Sequence, residues 1–155
     1  MAEEDLTMPR KHEVAWRQWL RAHALLERKL DGDLRTEHGL NLLTYDALVQ
    51  LSEAPERRLH MKDLAEALVY STSGLTRIVD NLERSGFARR EVDPNNRRAT
   101  LVVLTDEGFA TLEAAWRTHA RGVRDHFTRH ATVAQVTAIA DVFRKVVNDL
   151  EPPRS

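Results

Sequence analysis

The spacing of apolar residues changes twice along this chain of 155 residues. As far as about residue 85 they recur every three or four positions, which is typical of amphipathic helices. Two short runs between residues 87 and 104 follow a strand pattern, and helical spacing resumes beyond residue 105. A chain with this order of elements has to fold as a mainly α-helical protein with one small β-hairpin. We therefore predict a single domain of the α+β class.

The amino-terminal part of the chain predicts two helices. Apolar residues follow a helical period from about His12 to Glu37, and Gly39 is placed to end that helix in a left-handed conformation. A second helix is predicted from about Thr44 to Glu53, since Pro55 prevents it from continuing.

A pair of shorter helices follows. An extended piece at Arg58–His60 leads into a helix from about Lys62 to Leu68. A tight connection at Val69–Ser71 precedes a second helix, from about Thr72 to Ser85, which Gly86 is placed to cap. The apolar residues of that second helix recur at the spacing of one buried stripe. They are Leu75, Ile78, Val79 and Leu82.

A hairpin is predicted immediately after this helix pair. Its strands are Phe87–Val92 and Ala99–Leu104, and Asp93–Arg98 between them has a composition typical of turns. We expect Arg89 and Arg90 on the first strand and Arg97 and Arg98 at the tip. Asp93 is placed to pair with Arg98 and hold the tip rigid.

Two long helices complete the chain. Thr105 is a suitable N-cap for the first of them, and Thr132 with Gln135 forms a capping box for the second. The predicted inner face of the first helix is Phe109, Leu112, Trp116, His119, Val123 and Phe127. The predicted apolar stripe of the second is Val136, Ile139, Phe143, Val146, Val147 and Leu150.

A helix pair joined by a tight turn and followed at once by a small hairpin is the plan of a winged helix-turn-helix, which binds DNA. The side of the second helix opposite its buried stripe is polar, and Arg77 is our candidate there for reading a base edge. The candidate DNA-binding residues are Ser71, Thr72, Ser73, Thr76, Arg77, Arg89, Arg90, Arg97 and Arg98. The alternative for the helix is an ordinary solvated face, and for the hairpin a charged turn.

The stretch from Leu64 to Gly108 resembles the DNA-binding core of the multiple-antibiotic-resistance repressor (MarR) family, and the flanking helices fit it as well. The resemblance rests on LAEAL at 64–68, GLTRIVDNLE at 74–83, GFARR at 86–90, DPNNRR at 93–98 and LTDEG at 104–108, in this order and spacing. Two positions depart from the family pattern: Asn96 replaces a common acid, and Lys62 replaces a small capping residue.

The resemblance implies a homodimeric repressor of the winged helix-turn-helix fold, bound to a pseudo-palindromic double-stranded DNA operator. Residues 10–40 and 106–150 would form dimerisation helices, and residues 41–105 the DNA-binding lobe. The end helices independently carry more apolar side chains than one small domain can cover. The resemblance also implies a small aromatic acid or phenolic effector. Its candidate site is Trp16, Trp19 and His23, with Arg17 or Arg21 as anion partner; the alternative is that both tryptophans are dimer core.

Composition excludes several other classes. The chain has no cysteine, which removes thiol catalysis and cysteine zinc sites, and its motifs include neither a phosphate loop nor a nucleophile elbow. We therefore expect no catalytic residues, no cofactor and no metal, although His126 and His130 lie one helical turn apart. No apolar run approaches a membrane span, so a cytoplasmic location is the default expectation. The open alternative to DNA binding is a winged-helix protein-interaction module.

Overall fold

The computed structural model describes residues 8–68 and 72–151, without the side chains of Thr72 and Ser73. The predicted connection at residues 69–71 lies outside the described residues. The helices are α1 (Arg10–His38), α2 (Leu42–Glu53), α3 (Met61–Ala67), α4 (Thr72–Arg84), α5 (Asp106–His126) and α6 (Val133–Leu150). The strands are β1 (Arg58–His60), β2 (Ala88–Asp93) and β3 (Asn96–Leu104). The predicted order of elements is confirmed.

The predicted helix ends are confirmed where capping chemistry marked them. Gly39 has a φ of 67° and closes α1 by donating its N–H to the Arg35 carbonyl. Gly86 has a φ of 74° just after α4. The Thr105 hydroxyl caps α5 by accepting the Gly108 N–H at 3.0 Å, and the capping box at the start of α6 is present. These ends were predictable because each depends on residues next to it in the chain.

One hydrophobic core joins α2, α3 and α4 to the sheet. The predicted stripe of α4 is confirmed, because all four of its apolar residues are buried. They pack with buried residues from α2, α3 and the strands, among them Tyr45, Leu48, Leu51, Leu64 and Val102. Burial of this stripe leaves the opposite side of α4 facing outward.

The strands form an antiparallel sheet in the order β1-β3-β2. The predicted turn at residues 93–98 is wrong in length, because only Pro94 and Asn95 lie between β2 and β3. Asp93 is opposite Asn96, but Val92 is opposite Thr100. Residues 97–99 therefore bulge from the ladder, and Arg97 and Arg98 lie on β3 beside the tip instead of in the turn itself.

The predicted inner face of α5 is partly wrong. Trp116 is 56% exposed, and the buried positions are mostly small: Gly108, Leu112, Ala115, Thr118 and Gly122. An added Cβ at Gly122 would lie 2.6 Å from Leu30 Cδ2, and one at Gly108 would lie 2.1 Å from the Phe87 carbonyl oxygen. α5 thus packs closely through its small residues, whereas an apolar pattern gives most weight to its large ones.

The apolar stripe of α6 is only partly covered by the rest of the described chain. None of the residues of α6 is buried, and Phe143 is 41% exposed. Trp16, Trp19 and Leu20 of α1 are also exposed. No helix among residues 8–68 and 72–151 has both the length and the apolar character needed to cross a membrane.

We predict that Gly108→Ala destabilises the fold, since its Cβ would collide with the rigid Phe87 carbonyl as well as with the Leu104 side chain. The free energy of unfolding should fall by about 1–3 kcal/mol in urea denaturation at fixed protein concentration. Gly32→Ala in α1 is the matched control, because nothing lies within 4 Å of its Cβ position. A Gly108→Ala protein as stable as this control would contradict the close approach.

Candidate nucleic-acid interface

The outward side of α4 presents Thr76, Arg77 and Asp80, all exposed. Burial of the apolar stripe fixes this orientation, as the sequence predicted. Ser71 lies outside the described residues, and the side chains of Thr72 and Ser73 are not described, although both residues belong to the first turn of α4.

Arg90 connects the hairpin to α4. Its guanidinium bonds the carboxylate of Glu83, and Nη2 donates to Asp80 Oδ1 at 2.7 Å. The Arg90 backbone N–H also donates to Glu83 Oε1 at 2.8 Å. The side chain is 27% exposed. These two carboxylates occupy the guanidinium that sequence analysis expected to contact DNA, so Arg90 serves to position the hairpin against α4.

Arg89 lies on the other face of β2 and remains near the surface. Its side chain is 55% exposed and its Nη2 lies 2.7 Å from Glu91 Oε1, two residues along the same strand. An exposed pair of this kind is weak and exchanges readily with other partners.

The predicted pair between Asp93 and Arg98 is wrong. The Asp93 carboxylate accepts instead from His60 Nε2 at 2.7 Å and from the Asn95 N–H at 2.8 Å. Asn96, at the position where an acid is common, accepts the Arg98 N–H through Oδ1 at 3.1 Å. The amide thus orders the chain locally beside the tip, and the side chains of Arg97 and Arg98 are exposed.

No site was predicted at His60 from the sequence. Its Nδ1 lies 3.4 Å from Asp63 Oδ2, so the ring stands between two carboxylates. The hydrogen bond to Asp93 is the main cause that raises the pKa of His60 above its ordinary 6.5. The same bond, followed by that from the Asn95 N–H, lowers the pKa of Asp93. The only signal in the sequence was the spacing of three residues between His60 and Asp63. The second partner, Asp93, is 33 residues away along the chain.

The charges of this surface divide into two groups. Each acid on α4 and the hairpin has a basic partner within the fold: Asp80 and Glu83 with Arg90, Glu91 with Arg89, and Asp93 with His60. In contrast, no salt bridge joins the guanidinium of Arg77, Arg97 or Arg98 to any side chain that the structure describes. The net result is a surface with unneutralised positive charge on both α4 and the hairpin.

The candidate effector residues lie along an exposed face of α1. Trp16 and Trp19 stack at 5.1 Å between ring centroids, and His23 lies 5.7 Å from Trp19. The row continues to α6, because Phe143 is 6.2 Å from Trp19. Arg17 pairs with Glu13 at 2.8 Å, and Arg21 is exposed. The structure therefore brings the aromatic members together, on an open surface.

A cleft lies elsewhere, between α2 and α5. Its lining is Val49, Ser52, Glu53, Leu112, Glu113, Trp116 and Arg117. Near it the rings of Tyr45 and His119 stack at 4.6 Å, and His119 is 6.5 Å from Trp116. Tyr45 Oη and His119 Nδ1 are buried without a hydrogen-bond partner among the described residues. Burial raises the pKa of Tyr45 to about 12 and lowers that of His119.

The described residues contain no cluster of three or more potential metal ligands.

Solved structures decide the family. Sco3205 from Streptomyces coelicolor, a MarR family transcriptional regulator crystallised in complex with DNA, is 32% identical to this chain. The two structures superpose with a TM-score of 0.90 over 96% of this chain and 94% of that one. The chain belongs to the MarR family.

Further comparisons agree with membership of the MarR family. AbsC, a MarR family transcriptional regulator also from S. coelicolor, is 30% identical, with a TM-score of 0.87 over 93% of this chain and 97% of that one. The regulator PecS from Dickeya dadantii is 32% identical over 68% of this chain, a match that covers slightly less than two thirds (63%) of PecS. The MarR family profile matches residues 38–99. The predicted resemblance is confirmed, and the chain is a MarR family transcriptional regulator, not an enzyme.

We predict that Arg90→Gln destabilises this MarR protein because Asp80 and Glu83 would lose their shared cation. The free energy of unfolding should fall by about 1–2 kcal/mol in urea denaturation, and amide exchange should accelerate in β2. Arg89→Gln is the control on the same strand, where loss of an exposed pair should cost less than about 0.5 kcal/mol. Equal effects of the two changes would show that Arg90 does not join the strand to the helix.

Proposed function

We propose that this MarR protein is a homodimeric repressor that binds a pseudo-palindromic operator in double-stranded DNA. The observation that carries the proposal is the unneutralised charge of Arg77, Arg97 and Arg98 on two neighbouring elements whose acids are all paired internally. Free guanidinium groups bind phosphates and guanine edges directly, whereas one held by two carboxylates must first lose those partners. The complex of Sco3205 with DNA supports the same assignment by similarity.

In the proposed complex the amino-terminal half of α4 enters the major groove. Arg77 reads a base edge there, and the hydroxyl residues at the start of the helix contact phosphates and bases; these are Ser71, Thr72, Ser73 and Thr76. Arg97 and Arg98 reach the adjacent minor groove, where negative potential is focused. Arg89 exchanges Glu91 for a phosphate, and Arg90 holds the hairpin in place.

The dimer part of the proposal rests on the uncovered apolar faces of α1 and α6. Trp16, Trp19 and Phe143 are exposed together with the valines of α6, and such a patch is rarely left in water. We assign residues 10–40 and 106–150 to dimerisation and residues 41–105 to the DNA-binding lobe. A two-fold axis would place the two α4 helices about one DNA turn apart, roughly 34 Å, which favours a palindromic site.

A small aromatic or phenolic effector that releases the DNA is the remaining part of the proposal. The open row of Trp16, Trp19 and His23 suits the dimer core better than a pocket. The cleft beside Trp116 supports an effector better, since it is concave and combines apolar side chains with the cation of Arg117.

We predict different effects for two arginine substitutions in DNA-binding assays. Arg97→Ala should weaken binding to all duplexes and reduce the slope of log affinity against log salt by about 2, because each protomer would lose one cation that displaces counterions from the DNA. Arg77→Ala should instead relax sequence preference, at a cost of about 1–3 kcal/mol per base contact. The operator for these assays comes from selection of bound sequences from random duplex DNA.

The matched control for both is Arg129→Ala, an exposed arginine in the connection between α5 and α6, far along the chain from α4 and the hairpin. It should leave affinity and salt slope unchanged. If all three proteins bind alike, or the wild type selects no sequence, the alternative of a protein-interaction module would replace the proposal.

For the dimer we predict that Phe143→Glu yields monomers in sedimentation equilibrium at micromolar concentration, because a charge would enter the apolar interface. Ala138→Glu, on the opposite side of α6, should leave the protein dimeric. A Phe143→Glu protein that stays dimeric would contradict the proposed interface.

A further inference from the structure

We propose that His60 is a positioning residue for the hairpin: by bridging Asp63 and Asp93 it ties the tip to the first helix of the helix-turn-helix pair, and thereby couples operator affinity to pH. The inference rests on the proposed DNA-binding function. It concerns a residue that is not assigned to the DNA itself but bonds both the hairpin, through Asp93, and α3, through Asp63.

The position of His60 in the fold makes it a connecting residue. It is the last residue of β1 and directly precedes α3. From there its Nε2 reaches across to Asp93, which ends β2 and is only 8% exposed. The bridge therefore spans from the start of α3 to the point where the hairpin turns.

Asp93 transmits this restraint to the tip. One of its carboxylate oxygens accepts from His60, and the other accepts the Asn95 N–H inside the two-residue turn. Arg97 and Arg98 lie directly beyond that turn. A carboxylate fixed at both oxygens holds the turn in one conformation, and holding the arginines in place before binding reduces the entropy lost on binding.

The chemistry of imidazole makes this restraint depend on protonation. Only the imidazolium donates from both ring nitrogens; a neutral ring has one donor and one acceptor. If the neutral ring donates to Asp93, its other nitrogen presents a lone pair to the Asp63 carboxylate 3.4 Å away. The bridge to both acids is therefore complete only in the charged form.

The groups that face His60 are acids on two sides and an apolar residue on the third. Asp63 faces it from α3 and Asp93 from β2, while its partner across β3 is Leu101. Because the folded pKa of His60 is raised, the stabilisation is fully present below the ordinary value of 6.5 and is lost as pH rises through the folded pKa. Asp93, whose pKa is lowered, stays ionised throughout that interval.

The test compares operator affinity at about pH 6 and about pH 8 for wild type and His60→Gln, at constant salt. The duplex is one selected from random DNA by the wild-type protein. Wild-type affinity should fall about five- to tenfold between the two pH values, at the lower end of the usual range of coupling between sites. His60→Gln, which donates to Asp93 without titrating, should show a nearly flat profile. His130→Gln, an exposed histidine between α5 and α6, should keep the wild-type profile.

A second measurement needs no DNA. NMR titration of the His60 ring in the intact protein should give a pKa above 6.5, and Asp93→Asn should lower it. Equal pH profiles for wild type and His60→Gln, or a His60 pKa at or below 6.5, would overturn the inference. Failure of the wild type to bind any duplex would overturn the proposed function and the affinity coupling together, while the NMR result would still report separately on the bridge.

Discussion

The ion pairs of Arg90 with the carboxylates of Asp80 and Glu83 fix the hairpin relative to α4. A short hairpin is marginally stable alone and needs packing or cross-links to hold its direction. Here its first strand is attached to α4 through a side chain and a backbone N–H at the same glutamate. The buried stripe of α4 fixes the orientation of that helix in the core. Because the hairpin is attached to α4, the core fixes the orientation of the hairpin as well. The direction in which the hairpin presents Arg97 and Arg98 depends on this attachment.

The same attachment determines which charges remain for a ligand. An arginine among acids on a surface is neutralised, and the chain's net charge of −1 gives no general attraction to nucleic acid. In this fold the acids of α4 and the hairpin are paired with Arg90, His60 and Arg89. Local positive potential is thus produced by pairing the acids, without an excess of basic residues over the whole chain.

The parts of this arrangement differ in how far sequence could predict them. The α4 stripe, the helix caps and the existence of the hairpin follow from periodicity and from neighbouring residues, and all were predicted. The partners of Asp93 and Arg90 were not, because these contacts join residues that only the tertiary fold brings together; proximity in sequence favoured Arg98 for Asp93. The inner face of α5 was partly mistaken since its closest contacts are made by Gly108 and Gly122, which an apolar pattern ignores.

Those two glycines have a mechanical consequence. Gly108 lets α5 approach the Phe87 carbonyl of the lobe closely, and Gly122 lets it approach Leu30 of α1. These two close contacts are fourteen residues apart, which is about 21 Å along a helix. A shift of the lobe along α5 would drive the rigid Phe87 carbonyl against the helix, whereas Leu30 can yield by changing its rotamer. α5 is therefore seated more firmly against the lobe than against α1.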